Sequence, residues 1–269
     1  MREADTVYEG TFRTQREQHT ALECHASRAW TTADGRLHVH TTTQALHLVR
    51  RRLCKIFELP PERVRVTAAR LGGAFGGRQD LLAEDLAALA ALRTGCPVQL
   101  EHSRAEELTA TTTRHPFHVH VTLGARRDGT LTAVRLRVVA DTGAYGNHGP
   151  GVLREGCTAG ISLYRCPNIA VDGYSVRTHN VPSGAFRGYG AGRIAFTMAS
   201  ALDELARILG NDPLTVRRTA CLRPGDPTAV PRRGRTAPGH GHRPGPVPGR
   251  AAHGPCPPSV QQPPTGTPR

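Results

Sequence analysis

Leu71-Gly72-Gly73-Ala74-Phe75-Gly76-Gly77-Arg78-Gln79-Asp80 sets four glycines between two apolar patterns of different period. Upstream, Val64 and Val66 begin a strand. Downstream, Asp80 can cap a helix running from Leu81 to about Arg93, with Leu82, Leu86, Leu89 and Ala90 on one stripe and Gly95 closing its C-terminus. Glycines leave main-chain N–H groups uncovered, and ahead of a helix such a loop could cradle a phosphate or an oxo group. The same residues also suit a tight strand-to-helix turn. The pattern is neither GxGxxG nor a Walker loop, because no Lys-Ser/Thr follows.

A second stretch has the same grammar. Gly184-Ala185-Phe186-Arg187-Gly188-Tyr189-Gly190-Ala191-Gly192 lies between a strand pattern over 169–178 and a helix with Ile194, Met198, Leu202, Leu205 and Leu209 on one face. Arginine flanked by aromatics suits a planar, anionic or heteroaromatic ligand, through forked hydrogen bonds and stacking. An irregular loop with core-filling aromatics is the alternative.

The remaining elements alternate without the regular βαβ rhythm of a doubly wound sheet, which predicts an α+β fold. Residues 36–42 read as a half-buried strand after the turn Ala33-Asp34-Gly35, and 45–58 as a helix ending before Pro60-Pro61. Residues 97–101 read as a strand, and Ser103 opens a short helix. Residues 117–123 pair with 131–140 around Arg126-Arg127-Asp128-Gly129. Gly210 ends the long helix, and Asp212-Pro213 begins another.

The chain has 269 residues and a formal charge of +13, from 35 basic and 22 acidic side chains. Lys55 is the sole lysine, so the excess is arginine, as GC-rich codons would give, and is weak evidence for a polyanionic partner. Residues 231–269 hold six Arg, 11 Pro and 7 Gly with no acid, Leu, Ile or aromatic, and are expected to be disordered. No apolar run approaches the ~18 residues of a membrane span. The charged start lacks the apolar region of a secretion signal, so a cytoplasmic protein is expected. Seven cysteines without any CxxC predict free, mostly buried thiols rather than a zinc ribbon or an iron–sulfur cluster. His38/His40 and His118/His120 each share a strand face and read as solvated polar faces rather than a zinc site. There is no GxSxG and no cysteine in a nucleophile context, which disfavours nucleophilic hydrolysis.

Together these motifs resemble the molybdenum-binding large subunit of the xanthine dehydrogenase and aldehyde oxidase family. The likeness runs in order through QREQHTALE (15–23), TTTQ (41–44), GGAFGGRQD (72–80), PVQLEHSR (97–104), RHPF (114–117), DTGAY (141–145), VPSGAFRGYG (181–190) and LDELARILGNDPLTVRR (202–218). It implies the first part of a molybdopterin-binding region over 1–228, with 229–269 as a tail. The implied cofactor is molybdenum–molybdopterin in the cytosine dinucleotide form. No side chain ligates the metal, and 2Fe-2S and FAD belong to partner subunits. The implied substrate is a small heteroaromatic or an aldehyde.

Carried over by position, Gln44 resembles the glutamine facing the metal's oxo ligand. Gly73, Ala74, Phe75, Gly76 and Gly77 resemble the first cofactor-contacting segment, and Ala185, Phe186 and Arg187 the second. Tyr189 stands at a substrate-stacking phenylalanine, and Arg114 at a substrate-side arginine that stabilises charge developing on the ring, which with Gln44 makes the implied catalytic pair. Gln79 stands where purine-oxidising members often carry glutamate, so the substrate side is altered. No cysteine lies in 184–192, which argues against the carbon-monoxide-oxidising branch.

The family continues for several hundred residues past a position like Gly225-Asp226-Pro227, including the Gly-Glu motif of its essential base. The expectation is therefore a truncated or frame-shifted product, inactive alone. Two other readings compete: a non-catalytic binding or assembly module for iron–sulfur and FAD subunits, and, ranked last, a basic nucleic-acid-binding protein.

Overall fold

A computed structural model of the chain describes residue 1 and residues 3–226. The expected domain boundary at 228/229 and the expected disorder of 229–269 lie outside the described residues.

Period-two alternation of apolar side chains builds two four-stranded sheets. In chain order the elements are β1 (Thr6–Arg13), β2 (Ala26–Thr31), β3 (Leu37–Thr41), α1 (Leu46–Ile56), β4 (Val64–Thr67), α2 (Glu84–Thr94), β5 (Val98–Glu101), α3 (Arg104–Ala110), β6 (Phe117–Ala125), β7 (Leu131–Asp141), α4 (Gly149–Ala159), β8 (Ile169–Val176), α5 (Ala191–Leu209) and α6 (Pro213–Ala220). This is the expected α+β arrangement. Strands β1, β2 and helix α4 were not expected.

One sheet has the order β1-β6-β7-β8, with β1, β6 and β7 antiparallel and β8 parallel to β7. The hairpin β6–β7 closes as the sequence predicts, Gly129 N–H donating to the Arg126 carbonyl at 2.9 Å. Phe117, Val119, Val121 and Leu123 of β6 point to one face and meet Ile194, Met198, Leu202 and Leu205 of α5 in the main core. Burying each such side chain contributes roughly 1.5–3 kcal/mol. The other face of β6 carries His118, exposed, and His120, which reaches Glu9 at 2.7 Å.

The second sheet has the order β4-β3-β2-β5, with β4 parallel to β3. Ala29, Leu37 and Val39 form its core with Val49 and Leu53 of α1 and with Ala87, Ala88 and Ala91 of α2. His38 and His40 lie on the partly or fully exposed side of β3.

The start and face of α2 correct the sequence reading. The helix begins at Glu84, not Leu81, and its N-cap is Ala83 rather than Asp80. Glu84 serves its own N-terminus, accepting from the N–H groups of Leu82 and Ala83. The expected leucine stripe is also not the buried one: Leu86 and Leu89 are exposed, while Ala87, Ala88 and Ala91 are buried. The helix lies against β2 with alanines at the contact, where leucines would hold it off. Other end signals hold. Ser103 and Glu106 form a capping box on α3, Asp212 caps α6, and Gly95 and Gly210 close α2 and α5 in the left-handed conformation.

The six described cysteines are free thiols. Against expectation, Cys157 alone of these is buried, its thiol pushed up to about 11 by burial, while Cys96 and Cys221 are exposed. Among the described residues no helix is long and apolar enough to cross a membrane.

Candidate functional site

The first glycine loop is held by side chains around it. Arg78, 1% exposed, is the hub. Its Nε donates to the Gly73 carbonyl at 3.0 Å, and its terminal nitrogens donate to Thr42 Oγ1 and the Glu23 carbonyl. Glu23 accepts from Gly72 N–H at 2.7 Å, and Gln44 Oε1 accepts from Gly76 N–H at 3.2 Å. A buried pair anchors the far end, where His25 donates from Nδ1 to Glu107 at 2.8 Å and from Nε2 to the Gly77 carbonyl at 3.2 Å. Burial alone would push the Glu107 carboxyl up, but His25 outweighs it and holds it below the usual carboxylate value. His25, His102 and Glu107 offer ligand atoms within 4.8 Å of one another. With both His25 nitrogens already donating, this trio is a clip on the loop.

The second loop is held mainly by backbone. Gly184 N–H donates to the Thr113 carbonyl at 2.9 Å, and Arg187 N–H donates to the Phe75 carbonyl at 2.8 Å, so the two loops are bonded to each other. At their crossing, Gly76 has φ +99°, and a Cβ there would sit 2.8 Å from the Ala185 carbonyl oxygen. Glycine is required on both counts. His19 adds one side-chain tie, donating from Nε2 to the Ala185 carbonyl at 2.7 Å while stacking on Phe186 at 4.4 Å. Burial holds its pKa below the ordinary histidine value.

Between the loops lies a cleft of about 340 Å³. Eight residues expected at the site line it: Gln44, Phe75, Gly76 and Gln79 on the first side, and Ala185, Phe186, Arg187 and Tyr189 on the second. Gly188 completes it. Gly73, Ala74 and Gly77 do not line it. Nor does Arg114, whose guanidinium lies 3.7 Å from the Phe186 ring centre and 3.0 Å from Glu17. Sequence reading missed His19, His25, Arg78 and Glu107, although His19 lies within QREQHTALE and Arg78 directly follows the glycines.

Arg187 is the one formally charged side chain in the lining, and no carboxylate from the described residues reaches it. The N–H groups of Ala185, Phe186 and Gly188 have no hydrogen-bond acceptor among the described residues. Unmet donors, an arginine, two amide side chains and flat aromatic walls make this a binding domain for a planar, anionic group.

The particular family follows from comparison with known proteins. Residues 1–221 match the molybdopterin cofactor-binding domain, and the chain belongs to that family. It is 40% identical over 228 residues to the xanthine dehydrogenase molybdenum-binding subunit of Escherichia coli O157:H7, covering 83% of this chain and 30% of that one. It is 36% identical to the nicotinate dehydrogenase large molybdopterin subunit of Eubacterium barkeri, covering 81% and 51%. Among solved structures, the aldehyde oxidoreductase of Desulfovibrio gigas superposes with a TM-score of 0.82 at 33% identity, covering 84% of this chain and 25% of that one. The chain thus spans between a quarter and about half of the length of these three relatives.

Proposed function

We propose that the described residues hold the molybdopterin cofactor of a molybdenum hydroxylase at the cleft between the two glycine loops. The observation that carries this reading is the Arg187-to-Phe75 main-chain bond, which brings both expected cofactor segments to one cavity. Phe75, Gly76, Ala185, Phe186 and Arg187 hold the group; the unmet N–H groups and the guanidinium meet its negative charge. When bound, the group supplies the redox chemistry that places water-derived oxygen on a purine, another N-heterocycle or an aldehyde.

The chain's own residues orient and exclude. With Oε1 committed to Gly76, Gln44 has its amide nitrogen left to donate toward the group. Phe75 and Tyr189 provide flat walls for a small aromatic ligand. Gln79 can donate and accept but carries no charge, which suits a neutral polar edge. Since no carboxylate lines the cleft, the general base comes from outside the described residues, and these residues alone do not turn over. The cytosine dinucleotide form, iron–sulfur and FAD partner subunits and a cytoplasmic location complete the reading. The same missing carboxylate favours one alternative, a cofactor-holding module that does no chemistry.

Molybdenum analysis and pterin fluorescence of the purified chain test it. The expected result is stoichiometric metal and pterin, lost in Gly76→Ala and reduced in Arg187→Ala. A folded protein free of both would end the proposal.

A further inference from the structure

Tyr189 lines the cleft, and its hydroxyl has a partner that does not line it. The hydroxyl meets His148 Nδ1 at 2.8 Å, and the two rings stand at 90° with centres 5.8 Å apart. His148 Nε2 lies 3.3 Å from Asp80 Oδ1, off the line of an aligned hydrogen bond. Asp80 is the residue the sequence offers as a helix cap. It is instead 4% exposed, with Asn147 donating to Oδ1 and Arg52 3.5 Å away.

The surroundings of Asp80 and Tyr189 set the charge at the two ends of this row. Burial pushes the Asp80 carboxyl up, but His148, Arg52 and Asn147 outweigh it and hold it below the ordinary value, so it is a carboxylate at neutral pH. An anion beside Nε2 favours the imidazole proton there and leaves Nδ1 as an acceptor. Burial, and then the charge of Asp80, push the Tyr189 phenol up, so it keeps its proton and can donate it. Tyr189 also has φ +39°, a backbone conformation that side-chain-bearing residues rarely adopt. Something must hold it there.

We propose that Asp80 and His148 are positioning residues for Tyr189: the carboxylate orients the imidazole, the imidazole holds the phenol, and the tyrosine ring is thereby fixed as the wall against which a flat ligand lies. Tyrosine at 189 is then not a neutral replacement for phenylalanine. It turns a free ring into an anchored one, with the anchor on the side away from the ligand. The inference rests on the proposed function only for the identity of that ligand.

The test is ¹⁹F NMR of the protein labelled with 3-fluorotyrosine, the Tyr189 line being assigned by its loss in Tyr189→Phe. In the unmutated protein the line should be narrow and should titrate above free 3-fluorotyrosine, with Asp80 and His148 beside the phenol and Arg52 beyond Asp80. The ¹⁵N shifts of His148 should report the Nε2–H tautomer. His148→Phe and Asp80→Asn should broaden the line and move it toward that of exposed fluorotyrosine, with Asp80→Asn also lowering the titration. His148→Asn, whose side-chain oxygen can replace Nδ1, should restore the narrow line. A narrow, unshifted line in folded His148→Phe overturns the inference. The Nδ1–H tautomer in the unmutated protein does so without any variant, so a variant that fails to fold leaves the question decided. A pterin-free protein that still shows the coupled Tyr189 signals would end the proposed function and keep this inference.

Discussion

The two glycine loops have similar composition and opposite modes of support. The loop at 72–77 is caught by side chains: Arg78, Glu23, Gln44 and the His25–Glu107 pair each take one of its main-chain groups. The loop at 184–192 depends on shape. Gly190, at φ +100°, passes under the Val152 carbonyl and against Gly156 of α4 with no room for a Cβ. Behind it, His115 is buried with both ring nitrogens unpartnered among the described residues. A loop held by many bonds loses them one at a time, whereas a loop held by clearance fails at a single methyl group.

Gly190→Ala should therefore be the most damaging change, costing about 4 kcal/mol from the overlap and the strained φ together. A urea midpoint close to that of the parent would refute the clearance argument. His115 comes next and is read through pH. Burial, with Arg193 and His148 nearby, pushes its pKa down to about 4, against about 6.5 for the unfolded chain. The folded state carries it neutral, so its share of stability is whole above pH ~6.5 and is lost as pH falls toward 4, on the order of 3 kcal/mol in all. His115→Leu should flatten that part of the stability–pH curve while changing little at pH 8. An unaltered slope would show that the histidine is not held neutral.

Arg78→Met tests the first loop. It leaves the Gly73 and Glu23 carbonyls without their donor, and an expected cost of about 2 kcal/mol follows from unmade buried hydrogen bonds. Because Gln44 and His25 still hold the loop, thermal unfolding should remain one transition at a lower midpoint. The smallest effect belongs to Gly192→Ala. A Cβ there meets nothing within 4 Å at the start of α5, so a gain of up to about 1 kcal/mol is expected. A destabilised Gly192→Ala would mean that glycine is needed along the whole second loop, and the contrast with Gly190 would lose its point.

Both loops, the β6–β7 hairpin, the cap at Asp212 and the buried face of α5 could be read from residue order, because each is a local pattern with a local cause. Helix α4 could not. Its residues, GPGVLREGCTA, carry four glycines' worth of turn signal if its first residue and Gly151, Gly156 are counted with the following Gly160, and it exists because α5 packs against it. Strand β1 is half exposed along its length, with Gly10 in the middle, and owes its place to pairing with β6 a hundred residues later. The misread face of α2 has the same origin: alanine or leucine inward is decided by how near the sheet lies. At the site, the family resemblance supplied eight residues that line the cleft, while the roles of the partners around them, His19, His25, Glu107 and His148, became visible only in three dimensions.

The bond from Arg187 to Phe75 is made entirely of main chain, so it does not depend on the side chains of Phe75 and Arg187 themselves. On the proposed reading, exchanging Gln79 or Tyr189 would alter what the cleft accepts while that bond, and the spacing it sets, stays in place.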